Sequence, residues 1–142
     1  DGGVRLKGKL DLLEVNPQLH AVTIIDYKTG DGFSEFTTSG IHKDKCHRYA
    51  NQLMFYRLLL RHSSQYATFS IPRGALQFVE PNKFTGEIYT PSFSYDDNEQ
   101  LERFEQLVRA VWQHVMALDF PDVSAYQGDT AQFEADLIAG VI

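Results

Sequence analysis

The chain predicts an α/β domain, a mixed central sheet flanked by helices. Three observations point that way. Two extended, apolar-rich runs, residues 4–15 and 21–28, are separated by a short Asn16-Pro17 turn signal. A segment from Lys45 to Arg61 then carries apolar residues at helical spacing, and another extended run, Gly74–Glu80, follows it. A second long helical pattern closes before Pro121.

The first run, Val4 to Val15, alternates over most of its length. Val4, Leu6, Gly8, Leu10 and Leu12 share one face, and Arg5, Lys7, Lys9, Asp11 and Leu13 share the other. With the apolar run Ala21–Ile25 it reads as an antiparallel hairpin. Residues 31–40 are polar and bear glycines without a clear period, so they read as a surface connection. In Lys45–Arg61 the residues Tyr49, Ala50, Leu53, Met54, Tyr56 and Leu60 recur at helical spacing. His42, Lys43, Lys45, His47 and Arg48 crowd the start of that helix, where the dipole disfavours cations. They meet either solvent or something negative such as a phosphate. Gly74–Glu80 lies between Pro72 and Pro81 and reads as a third strand, with a short fourth at Thr85–Tyr89. Asp96 or a neighbour caps the second long helix, with Glu99 in its first turn. Leu101, Phe104, Leu107, Val108, Val111, Val115 and Leu118 form its expected core face. A last short helix is expected over Thr130–Ala139.

At 142 residues, with 43% hydrophobic and 23% charged residues, the sequence describes one soluble domain over 1–142. No run is long enough to span a membrane, and no membrane partner is expected. The lone cysteine, Cys46, excludes an internal disulfide and a cysteine-ligated zinc or iron–sulfur centre. A reducing, cytoplasmic setting is the default expectation. Net charge is −6 but unevenly spread: residues 1–62 carry +2 and residues 63–142 carry −8. The more basic half holds every motif described next, which mildly favours a polyanionic partner.

Asp26-Tyr27-Lys28-Thr29-Gly30 is the chemically richest stretch. Alternation sets Asp26 and Lys28 on one face at the end of a buried strand, just before a glycine turn. Buried charges are costly unless they are paired, bind a metal or do chemistry. The pentapeptide by itself fits a plain ion pair as well as a reactive site. The hairpin brings Asp11 towards Asp26, and two adjacent carboxylates repel unless a cation or a shared proton relieves them. Hard oxygen ligands suit magnesium or manganese rather than zinc. Gln52 and Tyr56, four residues apart, share a face of the Lys45–Arg61 helix. Lys7 and Lys9 are candidates for sequence-independent phosphate contacts, which a solvated strand face explains equally well. The five histidines show no metal-ligand spacing.

Gly8-x-x-Asp11, Asp26-Tyr27-Lys28 and Gln52-x-x-x-Tyr56, in this order on strand, strand and helix, resemble the PD-(D/E)XK nuclease superfamily. More narrowly they resemble its RecB-like exonuclease branch, whose members are fused to or associated with DNA helicases. The resemblance covers residues 4 to about 80 and implies a restriction-endonuclease-like fold, with the Gly74 strand parallel to a central strand across the Lys45–Arg61 crossover. It implies a metal-dependent DNA nuclease for repair or recombination, acting on single strands or ends beside a helicase domain in the same chain or complex. Asp11, Asp26 and the Tyr27 backbone carbonyl would hold magnesium or manganese. Lys28 would orient the attacking water or stabilise the transition state. Gln52 and Tyr56 would support the site, with Tyr56 able to stack on a base. The alternative is an inactive DNA-binding or assembly module that keeps the nuclease fold. Relatives in this branch carry a helix before the first strand that often adds a Glu or His ligand, so the chain is expected to be an excised part of a larger polypeptide. The four cysteines of cluster-bearing relatives are missing, so no iron–sulfur cluster is expected.

Overall fold

In a computed structural model, residues 5–95 and 98–142 are described. Their elements run β1 (Leu12–Asn16), β2 (Ala21–Lys28), α1 (Lys43–Arg61), β3 (Ser70–Phe78), β4 (Ser92–Ser94), α2 (Asn98–Ala117), a 3-10 turn (Ser124–Tyr126) and α3 (Thr130–Ala139). Leu6–Asn98 form one compact unit, and Glu99–Ile142, with Arg5, belong to a second.

The first unit holds a four-stranded sheet in the order β1-β2-β3-β4. β1 and β2 pair antiparallel, β2 and β3 parallel, and β3 and β4 antiparallel. The expected α/β class with a mixed sheet is therefore present, and α1 makes the expected crossover between the parallel strands. α1 packs on β2 and β3. Val22, Ile24, Leu53, Leu58, Leu76 and Phe78 are almost completely buried in this unit. Burial at roughly 1.5–3 kcal/mol per large apolar side chain is what holds helix and sheet together. Gly74 is required by that contact: a Cβ there would lie 2.5 Å from Tyr95 Oη and 3.1 Å from Leu53 Cδ2. Tyr95 Oη in turn donates to the Leu53 carbonyl at 2.6 Å.

Several boundaries differ from the sequence reading, each for a local reason. The first strand begins at Leu12 rather than Val4; Val4 itself lies outside the described residues, and 5–11, Asp11 included, are not in the strand. Gly8 instead approaches α1, where a Cβ would come within 2.6 Å of Leu59 Cδ1 and 3.2 Å of Phe55 Cε1. β3 starts at Ser70 and ends at Phe78, so Pro72 lies inside the strand. Proline can sit there because Tyr95 N–H donates to the Pro72 carbonyl at 3.0 Å and no reciprocal bond is demanded. The fourth strand is Ser92–Ser94, not Thr85–Tyr89. Residues 89–91 do run beside β3, with Phe78 N–H donating to Tyr89 O and Leu76 N–H to Pro91 O. Pro91 has no N–H to return the second bond, so the regular ladder stops there.

The segment after Gly30 is not merely a surface connection. Phe33 is only 4% exposed and meets Phe36, Tyr49 and Phe78 ring to ring. The basic helix start is used internally in part: Lys45 Nζ donates to the Asp31 carbonyl at 2.5 Å. Cys46 is buried as a small apolar residue.

In the second unit, α2 has the expected span and Glu99 in its first turn; the Asp96 cap lies outside the described residues. Its expected core face is only half buried. Leu101 and Leu107 are covered, whereas Val111, Val115 and Leu118 are exposed. α3 matches the expected Thr130–Ala139, capped by Asp129 accepting from Gln132 N–H and ended by Gly140 at φ 67°. No described helix is long and apolar enough to cross a membrane.

Candidate active site

The end of β2 delivers Asp26 and Lys28 to the face covered by α1. Asp26 is 2% exposed, the one buried charged residue beside the apolar core among the described residues. Its carboxylate is held asymmetrically. Oδ1 accepts from Tyr56 Oη at 3.0 Å and from Gln52 Nε2 at 3.2 Å. Oδ2 lies 2.5 Å from Lys28 Nζ in an ion pair. Lys28 Nζ donates to Gln52 Oε1 at 2.7 Å and stands 4.7 Å from the Tyr49 ring centroid. Gln52 Nε2 also donates to Tyr56 Oη at 2.7 Å.

These contacts close a ring: Lys28 to Gln52, Gln52 to Tyr56, both to Asp26, and Asp26 back to Lys28. The spacing of Gln52 and Tyr56, one helical turn apart, makes it possible, because both side chains leave α1 on the face that meets β2. Burial pushes the Tyr56 phenol above its ordinary range; the Gln52 hydrogen bond opposes this, and the Asp26 charge reinforces it. Tyr56 therefore remains a donor to the carboxylate at neutral pH.

Asp11 arrives from β1. The paired register ends with Leu12 opposite Ile25, and Asp11 stands one residue before β1, in the bend that leads into it. Asp11 is exposed, and its Oδ2 accepts the Tyr27 backbone N–H at 2.9 Å. The Tyr27 side chain points to the other face and is 48% exposed, leaving only its backbone beside the aspartates. Among the described residues no group of three His, Cys, Asp or Glu side chains converges. A divalent ion here would rest on two carboxylates, the Tyr27 carbonyl and water, an all-oxygen set suited to magnesium or manganese. Asp26 Oδ2, buried and partnered by the Lys28 ammonium alone, fits such an ion.

The structure thus gathers Asp11, Asp26, Lys28, Gln52 and Tyr56 at one edge of the sheet. It does not bring Lys7 and Lys9 in on a strand with Asp11. Both are exposed on a non-sheet segment, because the chain leaves the ladder at Leu12 to pass Gly8 against α1. Sequence reasoning missed two contributors. Tyr49 was placed among the apolar stripe of α1, yet its ring faces the Lys28 ammonium. Its spacing, three residues before Gln52, was the available signal. Asp31 lies in the loop, as expected, and there receives Lys45 on its carbonyl and the Lys83 N–H on its side chain at 3.3 Å.

Comparison with known proteins gives one informative result. The family model described as the PD-(D/E)XK nuclease superfamily matches residues 1–128. No curated protein and no solved structure matches the chain. The matched span takes in both hairpin strands, the crossover helix and the whole Asp–Lys–Gln–Tyr ring. The mixed sheet and flanking helices agree with a restriction-endonuclease-like fold, and the chain belongs to the PD-(D/E)XK nuclease superfamily.

Proposed function

We propose that this protein is a divalent-metal-dependent deoxyribonuclease that hydrolyses phosphodiester bonds. One observation carries the reading most: a buried aspartate whose two oxygens are treated differently, one fixed by Tyr56 and Gln52, the other held by the Lys28 ammonium alone. A purely structural ion pair has no need of that asymmetry or of a second aspartate bonded to the backbone of the next residue, Tyr27. Asp11, Asp26 and the Tyr27 carbonyl would hold the ion. Magnesium or manganese bound there supplies a water of lowered pKa and offsets charge on the scissile phosphate.

The protein's own groups do the rest. Tyr56 and Gln52 fix the Asp26 carboxylate through Oδ1, so that Oδ2 is held beside Lys28. Gln52 Oε1 and the Tyr49 ring hold the Lys28 ammonium in place. Were a metal bound at Asp26, Lys28 would be the group placed to orient the attacking water and to stabilise charge on the phosphate oxygens. Exonuclease action on single-stranded or frayed DNA ends, in the RecB-like manner and beside a helicase of the same chain or complex in repair or recombination, is the specific form we favour. The Gly8-x-x-Asp11 and Gln52-x-x-x-Tyr56 motifs support it.

The test is cleavage of end-labelled linear DNA, circular single-stranded DNA and RNA, with magnesium, manganese or EDTA. Linear DNA degraded from an end in metal, with circles spared, is expected. Lys28→Ala is expected to lower the rate by about 10²–10³, by analogy with loss of a transition-state donor. Cleavage persisting in EDTA, or undiminished in Lys28→Ala, overturns the mechanism. DNA binding with no cleavage under any metal would leave the non-catalytic binding module instead.

A further inference from the structure

We propose that the turn around Phe84 is a subsite for an unpaired nucleobase, with the Phe84 ring as its stacking platform. The inference rests on the nuclease reading and names the substrate form that the site takes.

Phe84 is 94% exposed. A single exposed aromatic is ordinary; what distinguishes this one is the framework beneath it. Asn82 Oδ1 accepts from Phe84 N–H at 2.9 Å and from Thr85 N–H at 3.0 Å. Asn82 N–H donates to Glu87 O and Gly86 N–H to Asn82 O, both at 2.8 Å, with Gly86 at φ 72°. Thr85 Oγ1 accepts Glu87 N–H at 3.3 Å and meets Tyr89 Oη at 2.9 Å. The ring is thus presented from a backbone whose ordering entropy is already spent on internal bonds, the condition for binding without further loss.

The same turn is tied to the chain leaving the active site. Asn82 Nδ2 donates to Gly32 O at 3.1 Å, and Lys83 N–H to Asp31 Oδ1 at 3.3 Å. Gly32 is needed there, since a Cβ would press to 2.8 Å from the Phe78 ring. Asp31 follows Lys28 by three residues, so chain geometry keeps the Phe84 and Lys28 Cα atoms within roughly 22 Å. A strand engaged at Lys28 reaches the turn within about six nucleotides at the stacked rise of ~3.4 Å.

Charge selects what the tip recognises. Lys83 Nζ lies 3.5 Å from Asp31 Oδ2, and Glu80 and Glu87 flank the turn in sequence, so it offers no surplus of positive charge for phosphates. An aromatic face is what remains, and base stacking on it is indifferent to sequence. Bases inside a duplex have both faces occupied, so the partner is a single strand or a frayed end.

Fluorescence anisotropy in EDTA tests this with a short DNA single strand, the same strand carrying one abasic position moved along it, and a blunt duplex. Phe84→Ala and Phe84→Leu are expected to weaken single-strand binding about 10-fold or more, and Phe84→Trp to preserve it. Duplex affinity is expected to stay unchanged. One abasic position should weaken binding by the wild type and not by Phe84→Ala. Because Phe84 is exposed, unchanged melting will show that the variants fold. Equal single-strand affinity of wild type and Phe84→Ala overturns the subsite while leaving the nuclease reading intact if DNA is still cleaved. A Leu variant that binds like wild type also overturns it, pointing to an apolar protein partner for the tip. A wild type that neither binds nor cleaves nucleic acid overturns both.

Discussion

Lys28→Met is the perturbation that most directly interrogates the ring around Asp26. The substitution keeps the length of the side chain and removes an ammonium that is 2.5 Å from Asp26 Oδ2 and 2.7 Å from Gln52 Oε1. Breaking a fully buried ion pair costs about 3–5 kcal/mol, because one charge is left without compensation. Two features reduce that figure here. Asp26 keeps the Tyr56 and Gln52 donors on Oδ1, and Lys28 is 17% exposed, so its charge was not wholly removed from water. The orphaned Gln52 oxygen adds about 1 kcal/mol of lost hydrogen bonding. A net loss of about 2–3 kcal/mol is expected in urea denaturation without metal, or roughly 5–10 °C in Tm for a chain of this size. Manganese should then stabilise Lys28→Met more than it stabilises wild type, because ion and ammonium compete for one carboxylate oxygen. A variant within about 0.5 kcal/mol of wild type would refute the claim that Asp26 depends on Lys28 for its charge balance. Equal manganese stabilisation of both proteins would refute the shared site.

Asp11→Asn should leave the fold within about 0.5 kcal/mol of wild type, since an amide oxygen can still accept the Tyr27 N–H and the site is exposed; manganese binding by calorimetry should nonetheless weaken sharply, and unaltered binding would remove Asp11 from the metal site. Tyr56→Phe deletes a hydrogen bond to a carboxylate that retains Gln52, so a loss of about 1–2 kcal/mol is expected by urea denaturation at neutral pH. The raised Tyr56 pKa carries a sign that can be checked: its contribution is complete below about 10, the unfolded phenol value, and fades as pH climbs through the higher folded value. The stability gap between wild type and Tyr56→Phe should therefore narrow on the alkaline side, and a gap that widens would contradict the donor role. Tyr95, raised above its ordinary range chiefly by burial, should keep an alkaline unfolding limb in both proteins. Gly74→Ala forces a methyl to within 2.5 Å of Tyr95 Oη, and an overpacking cost of about 1–3 kcal/mol is expected from thermal melting.

Much of the site was legible because it is written at short range. Asp26 and Lys28 share a face by strand alternation, Gln52 and Tyr56 by helical spacing, and the Asn16-Pro17 turn signal marks the reversal that pairs the two hairpin strands. Strand ends were harder to place. Gly8 leaves the ladder to meet Leu59, and Pro91 cannot return the bond that Leu76 makes to it, effects that depend on partners far along the chain. The α2 stripe shows the limit of periodicity: Leu101 and Val111 follow the same pattern, yet one is buried and the other is not.

By itself, then, the sequence determined which side chains share a face and in what order strand, crossover helix and strand follow, because both are properties of local backbone geometry. Only the tertiary structure decided that Gln52 bridges Lys28 to Asp26, that Tyr49 faces the ammonium, and that the two oxygens of Asp26 take different partners. Those facts depend on the distance between α1 and β2, which core packing sets and no local pattern encodes.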